Sequence, residues 1–468
     1  MNVSGPPALA TTSPRWALAQ QMRTGSALVA LVLLTACAGQ IPLVAEETPR
    51  LASAWPLPAQ AGDAERIRLG LPGLEPVLDA ALESNLDVRT SLARIEQARA
   101  SARIAAAGLF PALNLGGNVT RNDLPERPVT EFYSLSGTLA YELDIWGRNR
   151  SLAEGGRAAL AASESFRDAV RLTVQGDIAT AWVRLLSFND RIATAGRNVD
   201  TATRLLTLLE SQKAAGRISA LEVARQRNQV AVTRAVLADL RGQRGLVRNQ
   251  LALLVGLPPD ASPDSDRGLR EVEVPAPVPG EPAGLLARRP DIRQAELDLA
   301  AARANVAAAR AAILPRIDLS LRSALQATAG GDFLQGTGAL AVLAANLAQT
   351  VFDGGRLRGQ AQLSAAQQQE RLVRYLQVVL LAQREAADAL VASHAAGEQE
   401  REHREAAEAA ATALRLAELR YREGAEDYTT VLDAERAVFA AETAVDNARL
   451  NRFTALVALA RALAVGIE

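Results

Sequence analysis

Hydrophobic and polar residues alternate one by one in four segments of this chain and recur at helical spacing through most of the rest. In residues 111–121, Leu113, Leu115, Gly117 and Val119 alternate with Asn114, Gly116, Asn118 and Thr120. In residues 132–144, Tyr133, Leu135, Leu139, Tyr141 and Leu143 alternate with Ser134, Ser136, Thr138, Ala140 and Glu142. Residues 316–326 repeat the pattern with Ile317, Leu319, Leu321 and Leu325 on one side, and residues 340–352 carry a weaker, Ala-rich version. A period of two predicts strands with one apolar face. Such strands suit a hairpin lying on a soluble core or a membrane barrel with its apolar face turned to lipid.

Between and after these segments the pattern is helical. No proline occurs between Pro128 and Pro258, and none after Pro315. Residues 149–213 and 356–423 each predict one very long helix, about 100 Å at roughly 1.5 Å per residue. Gly155, Gly156, Gly176 and Gly196 lie inside the first tract and predict a bend or a later start. Gly359 and Gly397 interrupt the second. Gly216 and Gly424 follow the tracts at expected helix–helix turns, where glycine takes the left-handed cap conformation. Beyond Gly424, the residues Val431, Ala434, Val438, Ala441, Val445 and Ala448 keep 3-4 spacing, a coiled-coil seam with small residues at alternate positions.

The pattern is written twice. Arg89, Arg99, Ala107 and Pro111 match Arg293, Arg303, Ala311 and Pro315 (315 − 111 = 204). Gly216, Val223, Val230 and Leu237 match Gly424, Val431, Val438 and Val445 (424 − 216 = 208), so four extra residues fall in a loop near the strands. A duplication that keeps its helical phase is a property of the fold. It divides the chain into repeats at residues 76–257 and 290–468. The linker at 258–289 holds Pro258, Pro259, Pro263, Pro275, Pro277, Pro279 and Pro282.

Four strands cannot close a transmembrane barrel, for which about eight is the minimum. An open edge in lipid leaves backbone groups unsatisfied. Strands placed in lipid must therefore be pooled between subunits; three chains giving twelve is one closed solution among others.

Composition narrows the function. The net charge of −1, without a basic block, argues against nucleic acid. The aromatic content of 4% suits close-packed helices better than a wide globular interior. The two histidines, His394 and His403, are nine apart, not the i,i+4 spacing of a helical metal pair, and no nucleophile elbow, P-loop or dinucleotide fingerprint occurs. The expectation is a non-enzyme with no cofactor and no metal.

The only cysteine is Cys37. Arg23 precedes an apolar run at residues 26–34, too short for a stable anchor. Leu34-Thr35-Ala36-Cys37 follows and resembles a bacterial lipobox, in which the cysteine is lipidated and becomes the mature N-terminus. Ala38 rather than Asp follows it, which by the sorting rule directs such a lipoprotein to the outer membrane. The alternative is a secretory signal with an incidental cysteine. Residues 1–36, with Met1 or Met22 as the start, are set apart as a signal peptide, and 37–75 as a lipidated N-terminal segment.

Four motifs carry a resemblance to a family. Residues 284–293 (Gly-Leu-Leu-Ala-Arg-Arg-Pro-Asp-Ile-Arg), 143–148 (Leu-Asp-Ile-Trp-Gly-Arg), 351–356 (Val-Phe-Asp-Gly-Gly-Arg) and 431–436 (Val-Leu-Asp-Ala-Glu-Arg) resemble, in order and spacing, the TolC-type outer-membrane efflux channels. They are closest to the lipoprotein branch that serves RND-type multidrug pumps. Read without the family, Pro290 and Asp291 are a helix start, and Gly147, Gly354 and Gly355 permit tight strand-to-helix junctions. Arg148 and Arg356 beside them suit either the wall or the membrane interface.

The resemblance implies a mixed α and β membrane protein. This would be a homotrimer whose 12-stranded β-barrel, four strands per chain, continues into a long α-helical barrel. It implies as partners a periplasmic adaptor, docking at the tips near Gly216 and Gly424, and an inner-membrane RND-type transporter. It also implies a channel gate at Asp433, with Thr430 where some relatives carry a second Asp, and with Asp427, Arg420 and Arg436 as latch residues. The first copy has Arg225 at the equivalent of Asp433 (433 − 208 = 225). The plainer reading of Asp433 is a solvated helix face paired i,i+3 with Arg436. Two rival functions remain at this stage: a type I protein secretion duct and a structural periplasmic coiled-coil lipoprotein.

Overall fold

In the computed structural model, residues 47–56, 66–67, 69–123, 125, 128–275, 281–327 and 340–467 are described. Cys37 and the signal segment lie outside them. After a two-residue strand β1 (Arg66–Ile67) come α1 (Leu74–Ser84) and α2 (Leu86–Ala107), the hairpin β2 (Ala112–Asn122) and β3 (Thr130–Glu142), and the helices α3 (Arg148–Ala214) and α4 (Ala220–Val255). The second copy holds a single turn α5 (Leu285–Arg288), α6 (Pro290–Ala311), β4 (Arg316–Ala327), β5 (Leu340–Ala348), α7 (Arg356–Arg422) and α8 (Tyr428–Ala462), ending in β6 (Gly466–Ile467). The expected strand at 340–352 is shorter than its pattern, ending at Ala348, and the strand expected from 132 begins earlier, at Thr130.

The duplication is visible element by element. Helices α2 and α6 both have 22 residues, and α3 and α7 both have 67. The four extra residues fall between β4 and β5, since β2 and β4 are offset by 204 (316 − 112) and their ladder partners by 208 (348 − 140).

The late start expected as one outcome in the first long helix does not occur: α3 runs unbroken from Arg148 to Ala214. Gly155, Gly156 and Gly176 are points of close approach instead, whereas a Cβ on Gly196 would meet nothing within 4 Å. A Cβ on Gly156 would lie 3.0 Å from Ala105 Cβ and 3.2 Å from Ala102 Cα, and one on Gly155 would lie 3.2 Å from Asn305 Oδ1. Helices α2 and α6 thus lie directly on the α3 backbone, and this packing offsets the helix-forming cost of glycine, about 1 kcal/mol per residue.

The main core gathers where α1, α3, α4, α7 and α8 meet. Trp182, 2% exposed, fills it and donates its indole N–H to Pro72 O at 3.1 Å. A second, small cluster of Leu209, Val223, Tyr428 and Leu432 lies near the two helix turns. The seam expected on α8 is fully buried at Val431, Val438 and Ala448 and partly buried at Ala434, Ala441 and Val445. The inter-repeat linker is strapped onto the helices, with Arg449 donating to the carbonyls of Leu269, Arg270 and Val272. Asn189 Nδ2 likewise donates to Ser265 O at 2.6 Å and Arg267 O at 2.7 Å.

Candidate channel wall and gate

Strands β2-β3-β4-β5 form one antiparallel sheet in that order. The register puts Leu113 opposite Leu139, Leu139 opposite Leu321, and Leu321 opposite Leu343. One face is therefore a continuous apolar band from Leu113 to Leu343. The other carries Asn114, Thr138, Arg322 and their even-numbered neighbours. The band is not covered by the chain's own helices: Leu115 and Leu343 are both 77% exposed. Both outer strands, β2 and β5, present unpaired edges. An apolar face with open edges fits a segment of a lipid-facing barrel, and a hairpin resting on a soluble core is excluded by the exposure. Among the described residues no helix is long and apolar enough to cross a membrane.

The junctions below the sheet are built by two aspartates. Asp144 accepts from Asn149 N at 3.0 Å and Arg150 N at 2.8 Å, capping α3, and Asp353 accepts from Gly355 N and Leu357 N, both at 3.0 Å, capping α7. Gly147 and Gly355 stand before the helices at φ 75° and 90°, conformations that a side chain resists. Burial raises the Asp144 carboxyl, but the backbone N–H groups of Arg150 and Asn149 outweigh it and hold it low. Arg148 is bonded to Glu142 at 3.0 and 3.1 Å, whereas Arg356 stays exposed, 3.8 Å from Asp353. Trp146 donates to Pro315 O at 2.7 Å, tying the first junction to the second copy.

At the opposite end, Gly216 (φ 71°) and Gly424 (φ 74°) make the two helix turns. Ser219 and Glu222 form a capping box on α4. The equivalent positions on α8 are Asp427, which makes no side-chain cap bond, and Thr430, whose hydroxyl donates to Glu426 at 3.1 Å. Asp433 projects from α8 with its side chain 78% exposed, 3.9 Å from Arg436. Arg436 also donates to Gln229 Oε1 at 3.2 Å. Asp427, Thr430, Asp433 and Arg436 thus share the first turns of one helix. Arg420, expected as a latch residue, lies 3.9 Å from Glu426 within the chain, across the Gly424 turn.

Two buried glutamates escaped the sequence reading. Glu400 on α7 and Glu435 on α8 are each 1% exposed. Glu400 is surrounded by cations: Arg449 at 2.7 Å, Arg452 at 2.8 Å, and Arg404. Burial raises its carboxyl, but the bonds from Arg452 and Arg449 prevail and its pKa falls below the ordinary value. Glu435 has no such neighbours. Its Oε2 accepts only a long bond, 3.5 Å, from Gln226 Nε2, and its Oε1 has no partner. Burial pushes its carboxyl up to about 7; the Gln226 bond and Arg436 oppose this, and Glu418 adds to it. Gln226 in turn donates to Ala202 O at 2.9 Å and accepts from the Tyr428 hydroxyl. A signal was present in the sequence: Glu435 falls in phase with Val431, Leu432 and Val438, an acid within an apolar stripe.

The chain matches the family described as outer membrane efflux protein over residues 77–257 and 282–465. It is 34% identical over 463 residues to the pyoverdine export outer membrane protein OpmQ of Pseudomonas aeruginosa, covering 95% of this chain and 97% of that one. It is 32% identical over 463 residues to the solvent efflux pump outer membrane protein SrpC of Pseudomonas putida, covering 94% and 97%. Among solved structures, the outer-membrane channel OprN superposes with a TM-score of 0.83 at 27% identity, over 91% of this chain and 99% of that one.

Proposed function

The chain belongs to the outer membrane efflux protein family, and on that premise we propose that it is the lipid-anchored exit duct of a tripartite pump. It is an outer-membrane channel component and not an enzyme. Its four strands supply one third of a twelve-stranded barrel, and its paired 67-residue helices continue the wall into the periplasm. The observation that carries this reading is the open-edged sheet with one unbroken apolar face, joined through Asp144 and Asp353 to helices about 100 Å long.

In this reading Cys37 receives the lipid. The turns at Gly216 and Gly424 meet a periplasmic adaptor, which links the duct to an inner-membrane transporter of the RND type. Transport through the duct itself is passive. Three copies of Asp433 ring the narrow end and favour cations, while Asp427, Thr430 and Arg436 line the same turns. The high exposure of Asp433 within a single protomer supports this, since a ring facing water needs an unburied carboxylate. The named relatives serve pyoverdine export and solvent efflux, cargoes with little chemistry in common. That accords with a duct that selects by charge and width, and it favours small-molecule efflux over protein secretion.

The test is planar-bilayer conductance of the detergent-extracted protein, with its native mass measured in parallel. Cation-selective pores from a trimer are expected. A protein of monomeric mass that forms no pores would overturn the reading and restore the coiled-coil scaffold.

A further inference from the structure

Near the helix turns, a buried polar cluster joins the first helix pair to α8. Glu435 of α8 lies where α3 and α4 meet that helix, and it is 1% exposed. The polar groups around it are committed elsewhere. Gln226 of α4 donates to Ala202 O of α3 at 2.9 Å and reaches Glu435 Oε2 only at 3.5 Å, while its own oxygen accepts from the Tyr428 hydroxyl. Arg436 is turned toward Gln229 Oε1 at 3.2 Å and Asp433 at 3.9 Å. Glu435 Oε1 is left without a partner. The apolar cluster of Leu209, Val223, Tyr428 and Leu432 adjoins this joint through Tyr428.

Little at the joint compensates an ionised carboxylate. Among the described residues the cation acting on Glu435 is Arg436 of α8, and the like charge is Glu418 of α7, itself 3.5 Å from Arg422. Helix α4 offers the Gln226 amide, its Arg225 acting on Tyr428 instead, and α3 adds no charge. Burial pushes the Tyr421 and Tyr428 hydroxyls above their ordinary value, so both stay neutral up to pH 8.5. The acid belongs to the second copy alone. Its equivalent in the first is Arg227 (435 − 208), exposed and paired with Glu210 at 2.7 Å.

We propose that the proton on Glu435 holds α8 against α3 and α4 at the tip, and that its loss loosens this joint and widens the narrow end of the duct. The inference rests on the channel reading above and adds a control to it. A neutral carboxyl is tolerated in the packed joint. The carboxylate has one oxygen bare and the other on a stretched bond, and a buried charge so placed is costly. Moving the first turns of α8 off α4 lets water reach it. Those turns carry Thr430 and Asp433, so the displacement acts directly on the proposed ring.

The size of the effect follows from the two environments. The carboxyl ionises at about 7 when packed and near its ordinary 4.5 where water reaches it. The loosened state is favoured by the ratio of 1 + 10^(pH − 4.5) to 1 + 10^(pH − 7), which grows from about 11 at pH 5.5 to about 300 at pH 8.5. The equilibrium therefore shifts by about thirtyfold per protomer and levels off above pH 7.

Planar-bilayer recordings of the detergent-extracted protein at pH 5.5, 7 and 8.5, with native mass measured alongside, test this. In the parent, occupancy of wider conducting states should rise with pH by about tenfold or more. E435Q keeps the shape and never ionises, so it should hold the pH 5.5 value throughout. Asp433 is present in both proteins, so any pH dependence of the ring itself survives in E435Q and is subtracted. Matching profiles, a parent that widens less than about threefold, or an E435Q that is wide at every pH overturns the inference and leaves the channel intact. Should E435Q fail to reach trimeric mass, amide exchange in the parent decides. Protection of residues 428–435, corrected for the intrinsic pH dependence of exchange, should fall about thirtyfold from pH 5.5 to 8.5, and constant protection overturns the inference. A parent that neither reaches trimeric mass nor conducts takes the channel reading and this inference down together.

Discussion

Glu435→Gln tests the energetic reading of the helix tips most directly. The carboxyl is buried between α4 and α8 with no cation bonded to it, and its pKa rises from the ordinary 4.5 to about 7. The sign follows from proton counting. Below pH 4.5 the carboxyl is protonated in both folded and unfolded chains and costs nothing. Between 4.5 and 7 the unfolded chain ionises while the folded chain keeps its proton, so stability falls by about 1.4 kcal/mol per pH unit. Above 7 the loss levels off at about 3 kcal/mol per protomer. Glutamine has nearly the same shape and never ionises, so the variant escapes this loss. Thermal unfolding of the purified trimer, followed at fixed scan rate from pH 4 to pH 8.5, should show parent and variant melting together at pH 4. The variant should gain a few degrees by pH 8, with the change centred between pH 4.5 and 7. Hydrogen exchange in residues 428–440 should follow the same profile. A difference of equal size at pH 4 and pH 8, or a variant less stable at pH 8, would refute the reasoning.

Other expectations concern sites where one side chain holds several elements. Arg449→Met strips a buried cation from Glu400 and three carbonyls of the linker; it should cost about 3–5 kcal/mol and expose Arg267 and Arg270 to trypsin, and an unchanged digest would contradict it. Gly256→Ala forces a left-handed residue (φ 79°) to carry a Cβ only 2.6 Å from Ser84 O. A loss of about 2 kcal/mol or more is expected in thermal unfolding. Asp433→Ala should raise single-channel conductance and weaken cation selectivity, and unchanged values of both would remove the gate assignment. Cys37→Ser should abolish metabolic labelling with a radioactive fatty acid; persistent label would place the lipid elsewhere.

Much of the architecture was legible in the chain because it rests on local geometry. A period of two in residues 111–121 and 316–326, and the absence of proline across the long tracts, depend on neighbours one to four positions away. The helices accordingly begin and end within a residue of the expected limits, at Arg148–Ala214 and Arg356–Arg422. The internal offset further announced that two like halves must pack together. Gly155 and Gly156 were misjudged because their partners, Asn305 and Ala105, are distant in sequence, and helix propensity takes no account of a helix laid across them. Glu400 and Glu435 are equally buried, yet their carboxyls move in opposite directions. Three arginines reach the first and none is bonded to the second, a difference that exists only after α7 and α8 have packed. Sequence alone determined the elements, their faces and their duplication, because each arises within a few residues of backbone. Tertiary structure alone decided which glycines are contacts, which acids are neutralised, and which strand edges are left for another copy, because those depend on groups that only folding brings together.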